Sequence, residues 1–112
     1  MKKISIGNNL FGEIPALLTE ELVQPLITAP AVRIEKIVSR GHCSSVDFWY
    51  DQEIDEFVAL LKGSAGIRFE GRREILELRP GDTLNIPAHV RHQVVWTDPE
   101  IDTVWLAVHY RA

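Results

Sequence analysis

From residue 32 onward the chain reads as a succession of short alternating segments. Residues 32–39 set Val32, Ile34, Lys36 and Val38 against Arg33, Glu35, Ile37 and Ser39, the period of two that a β-strand imposes. Further strand-like segments follow at 46–51, 56–62, 65–70, 74–78, 82–86, 92–96 and 103–109. Turn-forming clusters separate most of them: Lys62-Gly63-Ser64, Glu70-Gly71-Arg72, Arg79-Pro80-Gly81 and Thr97-Asp98-Pro99-Glu100. Eight or nine strands at this spacing predict an all-β fold, a double-sheet barrel. The run Phe57-Val58-Ala59-Leu60-Leu61 is apolar on both faces, which predicts that both are covered, one by the barrel and the other by an N-terminal arm or a second subunit. A homodimer is therefore expected.

The first thirty-one residues have a different character. A short strand candidate spans 2–6, and Thr19 precedes Glu20-Glu21-Leu22-Val23. A hydroxyl followed by two acids is a helix-start signal, and Pro25 and Pro30 restrict that helix to a turn or two. The expected organisation is a short N-terminal helical arm, 1–31, packed on a β-barrel, 32–112, within a single domain overall.

Composition narrows the partners. Twelve basic and 16 acidic residues give a net charge of −4 without a basic stripe, so nucleic acid is not expected. The apolar segments are far shorter than the roughly 20 residues of a membrane-crossing helix. Met1-Lys2-Lys3 resembles the start of a signal peptide, but Gly7, Asn8 and Asn9 interrupt the apolar run that should follow. Cys43 stands alone, which fits a reducing cytoplasm.

The candidate chemistry centres on RPGDTLNIPAHVRHQVVW, residues 79–96, where His89 and His92 stand at the mouth of an apolar strand. Glu56 shares parity with Val58 and Leu60 and should point into the barrel with them. An ionised carboxylate there costs several kcal/mol without a partner, so it needs a metal, an arginine, a histidine or a proton; Arg68 and His92 are the candidates among side chains. Asp51 and Gln52 are adjacent, so only one of them can face inward. Gln52 with Tyr50 on the inner face would turn two polar tips toward a ligand, whereas Asp51 would be the stronger ligand for a hard cation. Phe48, Trp49, Trp96 and Trp105 read as core or as pocket wall. Arg33, Arg68 and Arg91 are placed to meet an anionic substrate. His42 lies in a polar loop, and His109 shares parity with Trp105 near the C-terminus.

Residues 32–110 resemble the cupin superfamily, the small RmlC-like jelly rolls. Gly81, Pro87 and His92 match the second motif of that family, and Glu56 and Gly63 match the second half of the first. The histidine pair of the first motif is replaced by Trp49-Tyr50-Asp51-Gln52, and His89 occupies a place where the family usually has glycine. The resemblance implies a jelly-roll barrel (a double-stranded β-helix) with a divalent metal ion in its interior, iron, manganese, zinc or nickel. His92 and Glu56 would be ligands, Asp51 or Gln52 a substituted third, and His89 a fourth from the loop. As an enzyme on a small organic substrate, such a protein would use Tyr50 or His89 for proton transfer. The alternative is a metal-free binding or sensor module, with Tyr50, Gln52, Glu56 and His92 as the polar floor for a small-molecule ligand. A dimeric scaffold without a ligand is the third reading.

Overall fold

Alternation becomes eight strands arranged in two antiparallel sheets. The structure, a computed structural model, describes residues 3–112. The strands are β1 (Leu22–Ala29), β2 (Val32–Ser39), β3 (Asp55–Lys62), β4 (Ala65–Phe69), β5 (Leu76–Leu78), β6 (Thr83–Ile86), β7 (His92–Thr97) and β8 (Thr103–Tyr110). Five of them form a sheet in the order β1-β2-β8-β3-β6, and three form a second in the order β5-β4-β7. This is the all-β jelly roll expected from the strand spacing. Val58 and Leu60 of β3 pack with Ile67, Leu78, Ile86 and Trp105 from both sheets. Each such side chain, taken out of water, contributes roughly 1.5–3 kcal/mol. The β3–β4 hairpin turns on Gly63 at φ 84°, where an added Cβ would collide with the Thr103 hydroxyl oxygen.

The N-terminal arm is not helical. Where a helix was expected after Thr19, residues 22–29 form β1, the edge strand paired with β2 from Leu22↔Val38 to Ala29↔Val32. The few residues between Thr19 and Pro25 are too short to offset helix nucleation. An edge strand tolerates Pro25 because its nitrogen has no ladder bond to lose, and the register shifts between Pro25 and Ile27. Upstream of β1 the chain packs as irregular structure: Lys36 Nζ donates to the Gly12 carbonyl, and the Arg40 guanidinium donates to those of Pro15 and Ala16. Lys36 is 2% exposed, so this segment covers the outer face of β2. Residue 2 of the strand expected at 2–6 lies outside the described residues, and residues 3–6 form no strand.

The strand expected at 46–51 is reduced to one bridge, Tyr50↔His92. Phe48 N–H folds back onto the Ser45 carbonyl, and Val46 is exposed. The Gln93 side chain replaces the missing ladder, its Nε2 donating to the carbonyls of both Val46 and Phe48 at 2.9 Å. On either side of this bow the backbone pairing resumes, Ser44 with Val94 and Tyr50 with His92.

The outer face of β3 is only half covered: Phe57 is 36% exposed, and Ala59 and Leu61 are intermediate.

Replacing Gln93 with Leu keeps the volume and removes the donor to two carbonyls. The substitution is expected to cost about 1–3 kcal/mol in urea denaturation, and an unchanged midpoint would contradict this account of the 45–49 bow.

Candidate functional site

Strand register builds the polar end of the barrel. Arg33 of β2 stands opposite His109 of β8, and His109 stands opposite Glu56 of β3, so the three form one row across the sheet. Side chains in such a row are direct neighbours. Glu35 lies two residues along β2 on the same face. From the other sheet His92 closes the space, with Tyr50 stacked on its ring at 5.3 Å between centroids. Gln52 enters from the segment that Tyr50 bridges to β7. Together they line a cavity of about 230 Å³, whose apolar wall comes from Val58, Ile67, Ile86, Val94 and Trp105.

The polar groups form a chain. Arg33 Nε donates to Glu35 Oε2 at 3.1 Å, and Glu35 Oε1 lies 3.1 Å from His109 Nε2. His109 Nδ1 lies 3.1 Å from Gln52 Oε1, and Gln52 Nε2 donates to Glu56 Oε1 at 3.5 Å. In this arrangement His109 gives its Nδ1 proton to Gln52, and a second proton lies between Nε2 and Glu35. A half-turn of the Gln52 amide satisfies the same positions differently. A protonated Glu56 then donates to Gln52, Gln52 donates to His109 Nδ1, and His109 Nε2–H donates to Glu35. Both arrangements hold the same number of protons.

Burial pushes the Glu56 carboxyl up to about 7, and the charge of Glu35 adds to the shift, against Gln52 and Arg33. His92 is pushed down by burial, opposed by its hydrogen bond to the Val90 carbonyl. That bond, from Nδ1 at 3.0 Å, leaves Nε2 as a lone pair facing the cavity. Burial and then Arg33 lower His109, while Glu35 acts in the other direction. Tyr50 is raised by burial and by the charges of Glu21 and Glu56.

Of the residues singled out from the sequence, Tyr50, Gln52, Glu56 and His92 come together in the cavity. Asp51 and His89 do not. They pair with each other on the exterior, His89 Nδ1 to Asp51 Oδ1 at 2.8 Å, because the backbone at Gln52 turns its neighbour outward. His89 also adopts φ 64°, the left-handed conformation that glycine would take without strain, and its N–H donates to the Gln52 carbonyl. Its contribution is to hold the segment that carries Tyr50 and Gln52. Arg33 reaches the cavity, whereas Arg68 bonds Gln93, Arg91 bonds Glu70, and both lie over Trp49. Arg68 is therefore not the partner of Glu56. His42 is structural, held between Arg40 N–H and the Thr19 carbonyl. Sequence reasoning passed over Glu35 and gave His109 no partner. Parity placed Arg33 with Glu35 and His109 with Trp105, but only the pairing of β8 between β2 and β3 shows that they meet.

These donors do not complete a metal centre. Among the described residues no three His, Cys, Asp or Glu side chains converge on one point. Both nitrogens of His109 are engaged within the chain of hydrogen bonds, and Asp51 and His89 lie outside the cavity. What remains is His92 Nε2 and Glu56, 3.9 Å apart, beside a neutral amide.

The displacement of Glu56 from 4.5 to about 7 corresponds to roughly 3 kcal/mol. The folded state keeps a proton that the unfolded chain releases, so this stability is full below about 4.5 and is lost as pH rises to about 7. The lowered histidines act in the opposite sense, losing stability as pH falls below their unfolded value, and cancel in a comparison of variant with wild type. Glu56→Gln is thus expected to gain stability relative to wild type between pH 5 and 8, by roughly 2–3 kcal/mol. Chemical denaturation at the two pH values measures it, and an equal difference at both would contradict the buried-carboxyl account.

No family model matches the chain. A crystal structure from Ralstonia eutropha JMP134, named as a candidate mannose-6-phosphate isomerase, is 46% identical, with 96% of this chain and 100% of that one covered and a TM-score of 0.91. A cupin superfamily protein of Desulfitobacterium hafniense is 23% identical over 88% of this chain and 84% of its own, TM-score 0.70. An RmlC-like double-stranded β-helix protein of Methanocaldococcus jannaschii is 18% identical over 88% and 87%, TM-score 0.68. Among curated proteins, 3-hydroxyanthranilate 3,4-dioxygenase of Burkholderia cenocepacia is 39% identical over 46 residues. That match spans 39% of this chain and only 26% of the dioxygenase. Jelly-roll topology and these likenesses agree that the chain has the cupin fold, a double-stranded β-helix.

Proposed function

We propose that this protein binds a small organic ligand inside its barrel, on a floor made by Gln52, Glu56 and His92, without a resident metal ion. The observation that carries this reading is the chain Arg33–Glu35–His109–Gln52–Glu56. It engages Glu35 and both nitrogens of His109 with protein partners and leaves only His92 and Glu56 to ligate an ion. The apolar wall opposite and the aromatic face of Tyr50 supply the contact area that a ligand of modest size needs. The likeness to a candidate sugar-phosphate isomerase supports a small-molecule site and leaves the reaction open.

A divalent ion on His92 and Glu56 is the second reading. The separation of His92 Nε2 from Glu56 Oε1, 3.9 Å, favours it, since one ion could lie between them. Metal analysis of protein purified without chelators decides between the two. The expected result is well under one iron, manganese, zinc or nickel per chain, with a melting temperature unchanged by chelator. One ion per chain, lost on His92→Ala, would replace the metal-free reading.

The half-exposed outer face of β3 supports a homodimer formed across Phe57. Light scattering on the purified chain should return twice the chain mass and fall toward one chain in Phe57→Glu.

A further inference from the structure

We infer that the ligand is a small organic cation, a primary ammonium seated between His92 and Glu56; this rests on the metal-free reading above and names the ligand class of that site. His92 is 5% exposed, and its Nδ1–H is given to the Val90 carbonyl. Its Nε2 is therefore an acceptor lining the cavity, and among the described hydrogen bonds none reaches it. Across the space Glu56 Oε1 lies 3.9 Å away, a second acceptor once that carboxyl is ionised. Two acceptors facing each other call for a group with at least two hydrogens. An ammonium nitrogen about 2.8 Å from each would see them at an angle of about 90°, within reach of its tetrahedral hydrogens. A hydroxyl has one hydrogen and serves one acceptor. A carboxylate or phosphate brings acceptors against acceptors.

Charge points the same way. The cavity is lined by three carboxyl groups, Glu21, Glu35 and Glu56, and one guanidinium, Arg33. Arg33 is bound to Glu35, so these two compensate each other. Glu21 accepts from the neutral Ser39 hydroxyl, and among the described ion pairs none joins Glu21 or Glu56 to a lysine or arginine. The interior therefore attracts a cation and repels an anion. Tyr50, stacked on His92, lines the same space. At about 230 Å³ the cavity lies below the usual range for drug-sized ligands, which limits the cation to a short alkyl or substituted alkyl amine.

Three probes of one size and different head groups test this: butylammonium, butan-1-ol and butyrate, titrated calorimetrically into chelator-treated protein at pH 8, with melting temperatures in parallel. Butylammonium is expected to bind at least tenfold tighter than butanol and to raise the melting temperature, and butyrate is expected not to bind. Glu56→Gln should weaken butylammonium at least tenfold, and weaken butanol by a clearly smaller factor. Butanol or butyrate binding as tightly as the amine would overturn the cation assignment while leaving the metal-free site standing. Failure of all three probes would overturn it as well. If that failure came with uptake of one divalent ion per chain, the metal-free reading would fall too.

Discussion

A carboxyl group on the inner wall of the barrel is the constraint around which this protein is arranged. Glu56 belongs to the same face of β3 as Val58 and Leu60, and pairing with β6 and β8 on either side leaves it no route to bulk water except the cavity. An isolated charge there is costly, and a buried carboxyl without hydrogen bonds is little better. The polar groups nearby follow from that requirement. Gln52 reaches Glu56, His109 supports Gln52, Glu35 supports His109, and Arg33 carries the chain to the half-exposed edge of the cavity. Because an amide and an imidazole each have two faces, the chain tolerates Glu56 with or without its proton. The apolar wall needs no such provision and packs as ordinary core.

The outline of the fold was legible because its strands obey a period of two and are cut by unambiguous turns. Residues 32–39 and 103–109 became β2 and β8 with boundaries that differ by at most one residue. Parity also placed Glu56 inside, and it put Tyr50 and Gln52 on one side and Asp51 on the other. Two kinds of information were missing. Local signals at Thr19, Glu20 and Glu21 favoured a helix, but the prolines left it too short to hold, and a neighbouring strand edge was available. Val46 and Phe48 alternate with polar residues as a strand should, yet the donor that holds their carbonyls is a side chain 45 residues away.

The site was less legible than the fold, for a related reason. One strand at a time, His109 and Glu35 gave no sign of meeting and Arg33 pointed only to an anionic substrate; they become a site because β8 lies between β2 and β3. Sequence order hides this, since the outer two of these strands are joined by a long excursion and the middle one comes last. His89 illustrates the opposite error. A histidine beside a candidate ligand invites a chemical role, whereas its strained backbone and its bond to Asp51 show that it secures the segment next door.

The bow at 45–49 leads into Tyr50, which lines the cavity, and has a mechanical character that the strands lack. It is fastened by backbone pairs at Ser44 and Tyr50 and at mid-span by the amide of Gln93. Elsewhere, widening the cavity would break a row of ladder bonds and draw on the stability of the whole sheet. Here an outward excursion loosens one side chain while the flanking backbone pairs stay closed, so local opening costs a small part of global unfolding. The compliance of the barrel is thus concentrated beside Tyr50, at the margin of the cavity, where movement does not put the fold at risk.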